Sequence, residues 1–419
     1  MPSQPNENGL LPKFAAVGVL IVLVLLVLNL KRSHTPGPIV PTPAVERTGL
    51  PDRIPIAQVG AVSFPIVEKA IVEATDDEKN QWVGAAVCGE CHKENYEGAI
   101  HTSHFKTTFA ITNTPPGHFD GKGSFMRSGN PRLHYEMSEE GGRYFQTAVE
   151  SGKPIHKASF DVAIGSGKLG QTYATWVKDA LFELPVTYFT PIDSWVNSPG
   201  YPPKSAHFER PLNNGCLDCH ATGFVPASDH EMNNRYKSRH IIMGVTCERC
   251  HGKGRKHVDF HRANPGVTEA KHIVDPRKIT VAERNALCSQ CHGGATGKMG
   301  PNQKPGVHSN NQLQRLKKSA CFSKSEGVSC TDCHNPHSFE RGNKKLFAQR
   351  CQECHQVDDC GDLVPAKRAY FAENCHTCHM EPQPMQDIKM FTTQGVVLPE
   401  ILDHYIRVIP EKSIKTAKK

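Results

Sequence analysis

The stretch "VTCERCHGKGRKHV" at residues 245–258 holds two cysteines, a histidine directly after the second, and another histidine six residues later. In the C-x-x-C-H pattern the two thiols lie on one helical turn, where both can form thioether bonds to the vinyl groups of one porphyrin, and the adjacent imidazole can bind the iron. Cys247, Cys250 and His251 therefore form a candidate attachment site for a c-type haem. C-x-x-C alone also occurs in zinc sites and thiol redox pairs.

The whole pattern occurs seven times and uses fourteen of the sixteen cysteines, which favours haem over zinc or a redox dithiol. The sequence therefore predicts seven covalently bound c-type haems, attached at Cys88-Cys91-His92, Cys216-Cys219-His220, Cys247-Cys250-His251, Cys288-Cys291-His292, Cys330-Cys333-His334, Cys351-Cys354-His355 and Cys375-Cys378-His379. Cys321 and Cys360 remain. They could pair with each other, stay as thiols or bind an iron through sulfur.

Histidines outside the motifs are candidates for the second axial position of each iron. His337 lies three residues after His334, and an extended chain of about 3.3–3.6 Å per residue is too short to pass round its own porphyrin. The six-residue link to His257 is nearly as constrained, and the twelve residues before His104 resemble a helix that carries it away from the first haem. The spacing predicts that these histidines bind the irons of neighbouring haems. Further candidates are His118, His207, His240, His272 and His308.

An uncharged apolar run at residues 14–30 is long enough to span a bilayer. Lys31 and Arg32 follow at once, without the small-residue cleavage site of a signal peptide. The sequence predicts an uncleaved transmembrane anchor at 10–31 after a cytoplasmic N-terminus at 1–9. Because haem is attached on the outer face of the membrane, we expect a single-pass protein of the cytoplasmic (inner) membrane with its haem domain in the periplasm. Frequent prolines predict an extended tether at 32–80.

The spacing of the motifs divides the remaining chain. We expect a first haem segment at 81–130, a β-rich insertion at 131–210, a six-haem cluster at 211–385 and a C-terminal segment with a basic tail at 386–419. Alternating apolar and polar residues in "LHYEMSEEGGRYFQTAVESG", residues 133–152, indicate a β-meander. The predicted fold class is a mainly α and loop multihaem cytochrome c with a small β-rich insertion and one N-terminal transmembrane helix.

A G-x-G-x-x-G pattern at Gly165, Gly167 and Gly170 falls inside the β-rich insertion. A dinucleotide site would need a strand, this turn and a helix in one parallel unit, and nothing downstream has the pattern of that helix. A tight hairpin is the favoured interpretation.

The formal net charge of +7 does not require a nucleic-acid partner. Seven haems would bring about fourteen propionate charges, which the excess of lysine and arginine can offset. We therefore expect redox partner proteins in the periplasm or membrane, and no nucleic acid.

Several strings together resemble the cytochrome c-554 and hydroxylamine-oxidoreductase-like group of multihaem cytochromes, in the form found in planctomycetes. These are "CGECH" at 88–92 with "SHF" at 103–105, "IGSGKLGQTY" at 164–173, "FERPLNNGCLDCHATGF" at 208–224, "SACFSKSEGVSCTDCHNPH" at 319–337 and "CHTCHME" at 375–381. The resemblance implies stacked haem pairs, distal ligands at His104, His257 and His337, and a periplasmic redox role. All seven motifs end in histidine, so the C-x-x-C-K site of pentahaem nitrite reductase is missing, and seven haems is one fewer than in the octahaem oxidoreductases.

Electron transfer by a membrane-tethered heptahaem cytochrome is the leading functional prediction. The alternative is an oxidoreductase that acts on a small nitrogen or sulfur species, bound as a ligand at one open iron. Gas binding or a scaffold role in a respiratory complex is a third interpretation. In an enzyme, Tyr173, Lys168, Trp195 and His207 could line the site where the β-rich insertion meets the haems.

Overall fold

The computed structural model describes residues 82–409 except 229, 231, 295–305, 326, 361–364 and 393–394. Its helices are short and are spread along the whole described chain. They are α1 (Ala85–Gly89), α2 (Lys93–Ala99), α3 (Asn214–His220), α4 (Cys247–His251), α5 (Arg255–Ala263), α6 (Val281–His292), α7 (Gln312–Leu316), α8 (Ala320–Lys324), α9 (Cys330–Cys333), α10 (Lys344–Gln352), α11 (Arg368–Glu373) and α12 (Cys375–His379).

The strands form antiparallel sheets, most of them before residue 245. They are β1 (Thr108–Ala110), β2 (Phe125–Arg127), β3 (Leu133–Glu140), β4 (Arg143–Glu150), β5 (Lys153–Ser159), β6 (Val162–Ile164), β7 (Gly170–Val177), β8 (Ala180–Glu183), β9 (Val186–Phe189), β10 (Ser194–Asn197), β11 (Arg210–Pro211), β12 (Ala221–Pro226), β13 (Tyr236–Met243), β14 (Pro382–Pro384), β15 (Met390–Thr392), β16 (Gly395–Val397) and β17 (Glu400–Leu402).

Two larger sheets and three hairpin-like pairs result. A four-stranded sheet has the order β2-β3-β4-β5, and a seven-stranded sheet has the order β1-β6-β7-β8-β11, with β9 paired to β7 and β10 paired to β9. The two-stranded sheets are β12-β13, β14-β17 and β15-β16. Gly141 and Gly142, both with positive φ, close the β3–β4 hairpin, as a tight turn of the right twist requires. The glycine-rich stretch of residues 165–170 joins the antiparallel strands β6 and β7.

The apolar core lies on both faces of the seven-stranded sheet. Alternate residues of β7 point to opposite faces: Tyr173 belongs to a cluster shared with the four-stranded sheet, and Ala174 belongs to a second cluster. The second cluster includes Leu217 of α3 and Tyr236 of β13, and both side chains are fully buried. The helix that carries the second haem motif is therefore packed directly on this sheet.

The predicted fold class is wrong. The described residues contain about as many strand residues as helical residues, so the fold is not mainly helix and loop with a small β-rich insertion. Strands β12 and β13 lie between the second and third motifs, where short spacing between motifs had favoured helices and loops, and β14 to β17 follow the last motif. A single N-terminal transmembrane helix has no support from the structure. None of the helices in the described part of the chain has the length and apolar character needed to cross a bilayer.

Some predicted segments lie outside the described residues. They are the N-terminus at 1–9, the anchor at 10–31, all of the tether at 32–80, residue 81 of the first haem segment, and the basic tail from residue 410.

Candidate haem-binding sites

Each cysteine motif begins on or forms a short helical turn. The amide of His92 donates to the carbonyl of Cys88 at 2.9 Å, and His334 makes the same bond to Cys330 at 2.9 Å. The turn brings the two thiols and the histidine of one motif together. Side-chain caps define where two of these helices begin: Asn213 accepts from the amide of Cys216, and Ser329 and Asp332 form a capping box before the fifth motif.

Four pairs of histidine rings have nearly the same distance between their ring centres. A metal–imidazole bond of about 2 Å on each side of one iron, plus the depth of each ring, places two axial ring centres about 6 Å apart. The observed separations are 6.3 Å for His92–His257, 6.1 Å for His104–His292, 6.1 Å for His251–His337 and 6.2 Å for His334–His404. Each pair contains one motif histidine and one histidine from another part of the chain.

The predicted distal histidines are among these pairs. His257, which follows the third motif, lies opposite His92 of the first. His337, which follows the fifth motif, lies opposite His251 of the third. His104, which follows the first motif, lies opposite the fourth-motif histidine at an interplanar angle of 61°. Their role as iron ligands remains a prediction. The described residues show no such ring pair for His220, His355 or His379.

Hydrogen bonds at Nδ1 orient several of these rings. His251 Nδ1 lies 2.9 Å from the carbonyl oxygen of Val274, and His257 Nδ1 lies 2.8 Å from that of Lys271. A carbonyl can only accept, so Nδ1 carries the proton and the lone pair of Nε2 is free for a metal. The same contact to a carbonyl is made by His379 with Arg407 and by His404 with Leu402.

Burial favours the neutral form, which can bind iron, for three of the paired histidine rings. It lowers the pKa of His334 to about 4, and it also lowers the pKa of His104 and His292. The ring spacing, the free Nε2 lone pairs and the paired thiols on single turns together fit c-type haem with two imidazole ligands. Among the described residues, no three histidine, cysteine or acidic side chains converge as they would around a bare metal ion.

Thiol contacts show which motifs are neighbours. Cys88 contacts Cys247, which raises the pKa of Cys88 and lowers that of its partner. Three equivalent contacts join Cys219 to Cys291, Cys288 to Cys330 and Cys351 to Cys375. Weaker charge interactions link Cys250 with Cys288 and Cys333 with Cys351. The motifs therefore follow one another in the order first, third, fourth, fifth, sixth and seventh, and the second motif branches from the fourth.

His404 is a candidate ligand that the sequence did not reveal. It lies beyond every motif, in a segment that Asp403 anchors through Arg315 at 2.8 Å and Arg407 at 3.2 Å. Ser319 also holds this segment, since its hydroxyl donates to the His404 carbonyl and accepts from the Ile406 amide. The acidic residue directly before the histidine is the only local signal, and it is too common to identify a ligand.

The loop that carries His337 depends on Glu340. This carboxylate accepts from the amide of Asn335 at 3.0 Å and pairs with Arg350, whose guanidinium also donates to the carbonyl of Cys333. The hydrogen bonds from Arg350 lower the pKa of Glu340 to about 2. The ion pair thus connects the fifth motif, the His337 loop and helix α10.

Replacing Glu340 with glutamine should lower the melting temperature near neutral pH and have little effect in strong acid. The pKa of Glu340 is lower in the folded state, so its contribution is complete above the ordinary carboxyl pKa of about 4.5 and is lost as the pH falls toward 2. Calorimetry of the wild type and Glu340→Gln between pH 7 and 2 tests this, with the exposed Glu139→Gln as control. A difference in melting temperature that does not shrink with acid would contradict it.

The two cysteines outside the motifs form no disulfide, since all sixteen cysteines are unbridged. Burial raises the pKa of Cys333 and contact with Cys375 raises that of Cys351, and at both cysteines Cys321 adds a smaller charge interaction, which places it beside the fifth and sixth motifs.

Four residues were predicted to line a substrate site if the protein is an enzyme. Tyr173 and Trp195 belong to the apolar cluster shared by the two larger sheets. Lys168 lies over the ring of Phe339 at 5.1 Å, and His207 lines an open cavity of about 330 Å³.

Comparisons with known proteins agree with the chemistry of the motifs. The family model described as cytochrome c554 and c-prime matches residues 203–252, which contain the second and third motifs. The c-type polyheme cytochrome OmcB, from two strains of Geobacter sulfurreducens, is 23% identical over 194 residues, which are 45% of this chain. The chain is a multihaem c-type cytochrome.

This cytochrome matches only 22% of the length of OmcB. Among solved structures, the outer cell wall cytochrome OcwA aligns over 81% of this chain and 82% of its own, at 16% identity and a TM-score of 0.42. The narrower resemblance to planctomycete proteins and the count of seven haems stay predictions.

Proposed function

We propose that this cytochrome transfers electrons between redox partner proteins along seven closely packed c-type haems. In at least four of them the iron has two histidine ligands. The observation that carries the proposal is the set of four histidine ring pairs at 6.1–6.3 Å. In each pair the second histidine lies outside the motif whose histidine it is paired with, so the chain itself links neighbouring sites.

Two histidine ligands favour electron transfer over binding of a substrate. The haem irons supply the one-electron chemistry, and bis-histidine ligation keeps an iron low-spin at a relatively low potential. The protein contributes fixed ligands, through Nδ1 hydrogen bonds to backbone carbonyls, and close spacing of the motifs. Such rigid ligation leaves no coordination position for a reactant at these four sites.

The order of thiol contacts supports a continuous route. It would run from the first motif through the third, fourth, fifth and sixth to the seventh. The haems at the two ends of this route, and the haem at the second motif beside it, would exchange electrons with partner proteins. Cys91 of the first motif is exposed, which favours this end of the route as a place of contact, and Cys354 of the sixth motif is exposed beside the other end.

We also propose that the haem domain lies outside the cytoplasmic membrane, with partners in the periplasm or at its membrane. The support is chemical, because thioether attachment to C-x-x-C-H takes place on that side. No contact with nucleic acid is part of the proposal.

The test combines mass spectrometry, which counts haems, with reductive titration of the same oxidised sample. We expect seven haems per chain, reversible reduction of all of them, and no turnover with nitrite, hydroxylamine or sulfite. Sustained consumption of one of these compounds, with an optical change on its binding to the oxidised protein, would replace electron transfer by catalysis at an open iron.

A further inference from the structure

Three motifs meet around Arg249, which lies between the cysteines of the third motif. Its guanidinium donates to the carbonyl of Asp218 at 2.7 Å, next to Cys219 of the second motif. The sulfur of Cys291, in the fourth motif, lies 3.8 Å from the same carbonyl oxygen. The second, third and fourth motifs thus meet at the contact between Arg249 and Asp218, where the second motif branches from the row of the others.

Arg249 is not neutralised by a carboxylate within the described part of the chain. The neighbouring Glu248 faces away, since its carboxylate accepts from the amides of Val83, Gly84 and Gly254. Arg249 Nε is buried and has no acceptor among the described residues. A buried N–H of an arginine is suited to a carboxylate, and a haem propionate would supply one there.

We propose that Arg249 is the fixed positive charge that raises the reduction potentials of the haems at the second, third and fourth motifs. Adding an electron lowers the charge of a haem, so a nearby cation stabilises the reduced form, more strongly in a partly buried site than in water. Electrons would then collect at the haems of the second, third and fourth motifs, where the second motif branches from the others. This inference rests on the proposed electron-transfer function.

The experiment is a spectroelectrochemical titration of the fully haem-loaded wild type and variants. We expect Arg249→Gln to shift about three of the seven haems to lower potential and to leave the others in place. Arg249→Lys keeps the charge and should titrate like the wild type. Lys318→Gln removes a charge from an exposed residue outside the junction, and it should shift none.

Two results would overturn the inference: wild-type potentials in Arg249→Gln, or an equal shift in Arg249→Lys, which would assign the effect to hydrogen bonding. If Arg249→Gln fails to bind all its haems, Arg249→Met keeps the apolar stem and gives the same comparison. Haem counting and reversible reduction of the wild type test the proposed function separately. A relay could therefore be correct while the role of Arg249 is wrong.

Discussion

Replacing His404 with alanine should leave one iron per chain with a single protein ligand. The His404 ring lies 6.2 Å from that of His334, and no other described histidine ring pairs with His334. We expect the oxidised variant to show one high-spin haem, and the reduced variant to bind about one equivalent of carbon monoxide, which a six-coordinate bis-histidine iron excludes. Added imidazole should restore the low-spin spectrum.

The fold around this site should survive the change, because Asp403 keeps its bonds to Arg315 and Arg407. His134→Ala is a matched control, since this histidine lies in the four-stranded sheet and contacts Glu136. A His404→Ala protein with wild-type spin state and no carbon monoxide binding would show that His404 is not an axial ligand.

Replacing Glu248 with alanine should produce the largest loss of stability. Glu248 as a residue is 2% exposed, and its carboxylate accepts three backbone N–H groups, from Val83 at 3.0 Å, Gly84 at 2.9 Å and Gly254 at 2.7 Å. Each buried N–H left without an acceptor costs about 1–3 kcal/mol, so we expect a loss of ~3 kcal/mol or more. The same bonds hold the start of the described chain, and with it the first motif, against the third.

Thermal unfolding of the haem-loaded protein measures this loss. Glu97→Ala is the matched control, because Glu97 is exposed and makes only a 3.8 Å pair with Lys93. Equal melting temperatures for the two variants would mean that Glu248 does not connect the first and third motifs.

The haem attachment residues could be predicted because their chemistry is local. Two thiols and an imidazole must lie on one turn, so the pattern is visible in five consecutive residues. Distance along the chain also limits which iron His337 can bind, because the three residues after His334 are too short to pass round the porphyrin attached there. Local spacing cannot name the partner that a histidine does face, as with His404, which is seventy residues beyond the fifth motif histidine.

The amount of β-sheet in the fold was underestimated for a related reason. Alternation in residues 133–152 is a strong signal because β3 and β4 have eight residues each. Strands such as β14 and β17 have three residues each, too few for a periodic pattern, and they form only because tertiary contacts pair Gln383 with Ile401. Closely spaced motifs also suggested helices and loops between the second and third motifs, where β12 and β13 pair with each other.

The connections between motifs follow a consistent plan. Arg249, Glu248 and the Glu340–Arg350 pair each use a residue within or beside one motif to hold the backbone of another. With little apolar core outside the sheets, the polar contacts set the relative positions of the motifs. Substitutions at these residues should therefore affect several haems together.

The most direct test of the central claim is a crystal structure of the haem-loaded protein with anomalous diffraction at the iron edge. We expect iron between the rings of four histidine pairs: His92 and His257, His104 and His292, His251 and His337, and His334 and His404. Iron bound to the motif histidine of these pairs, with the second ring turned away or replaced by another ligand, would contradict it.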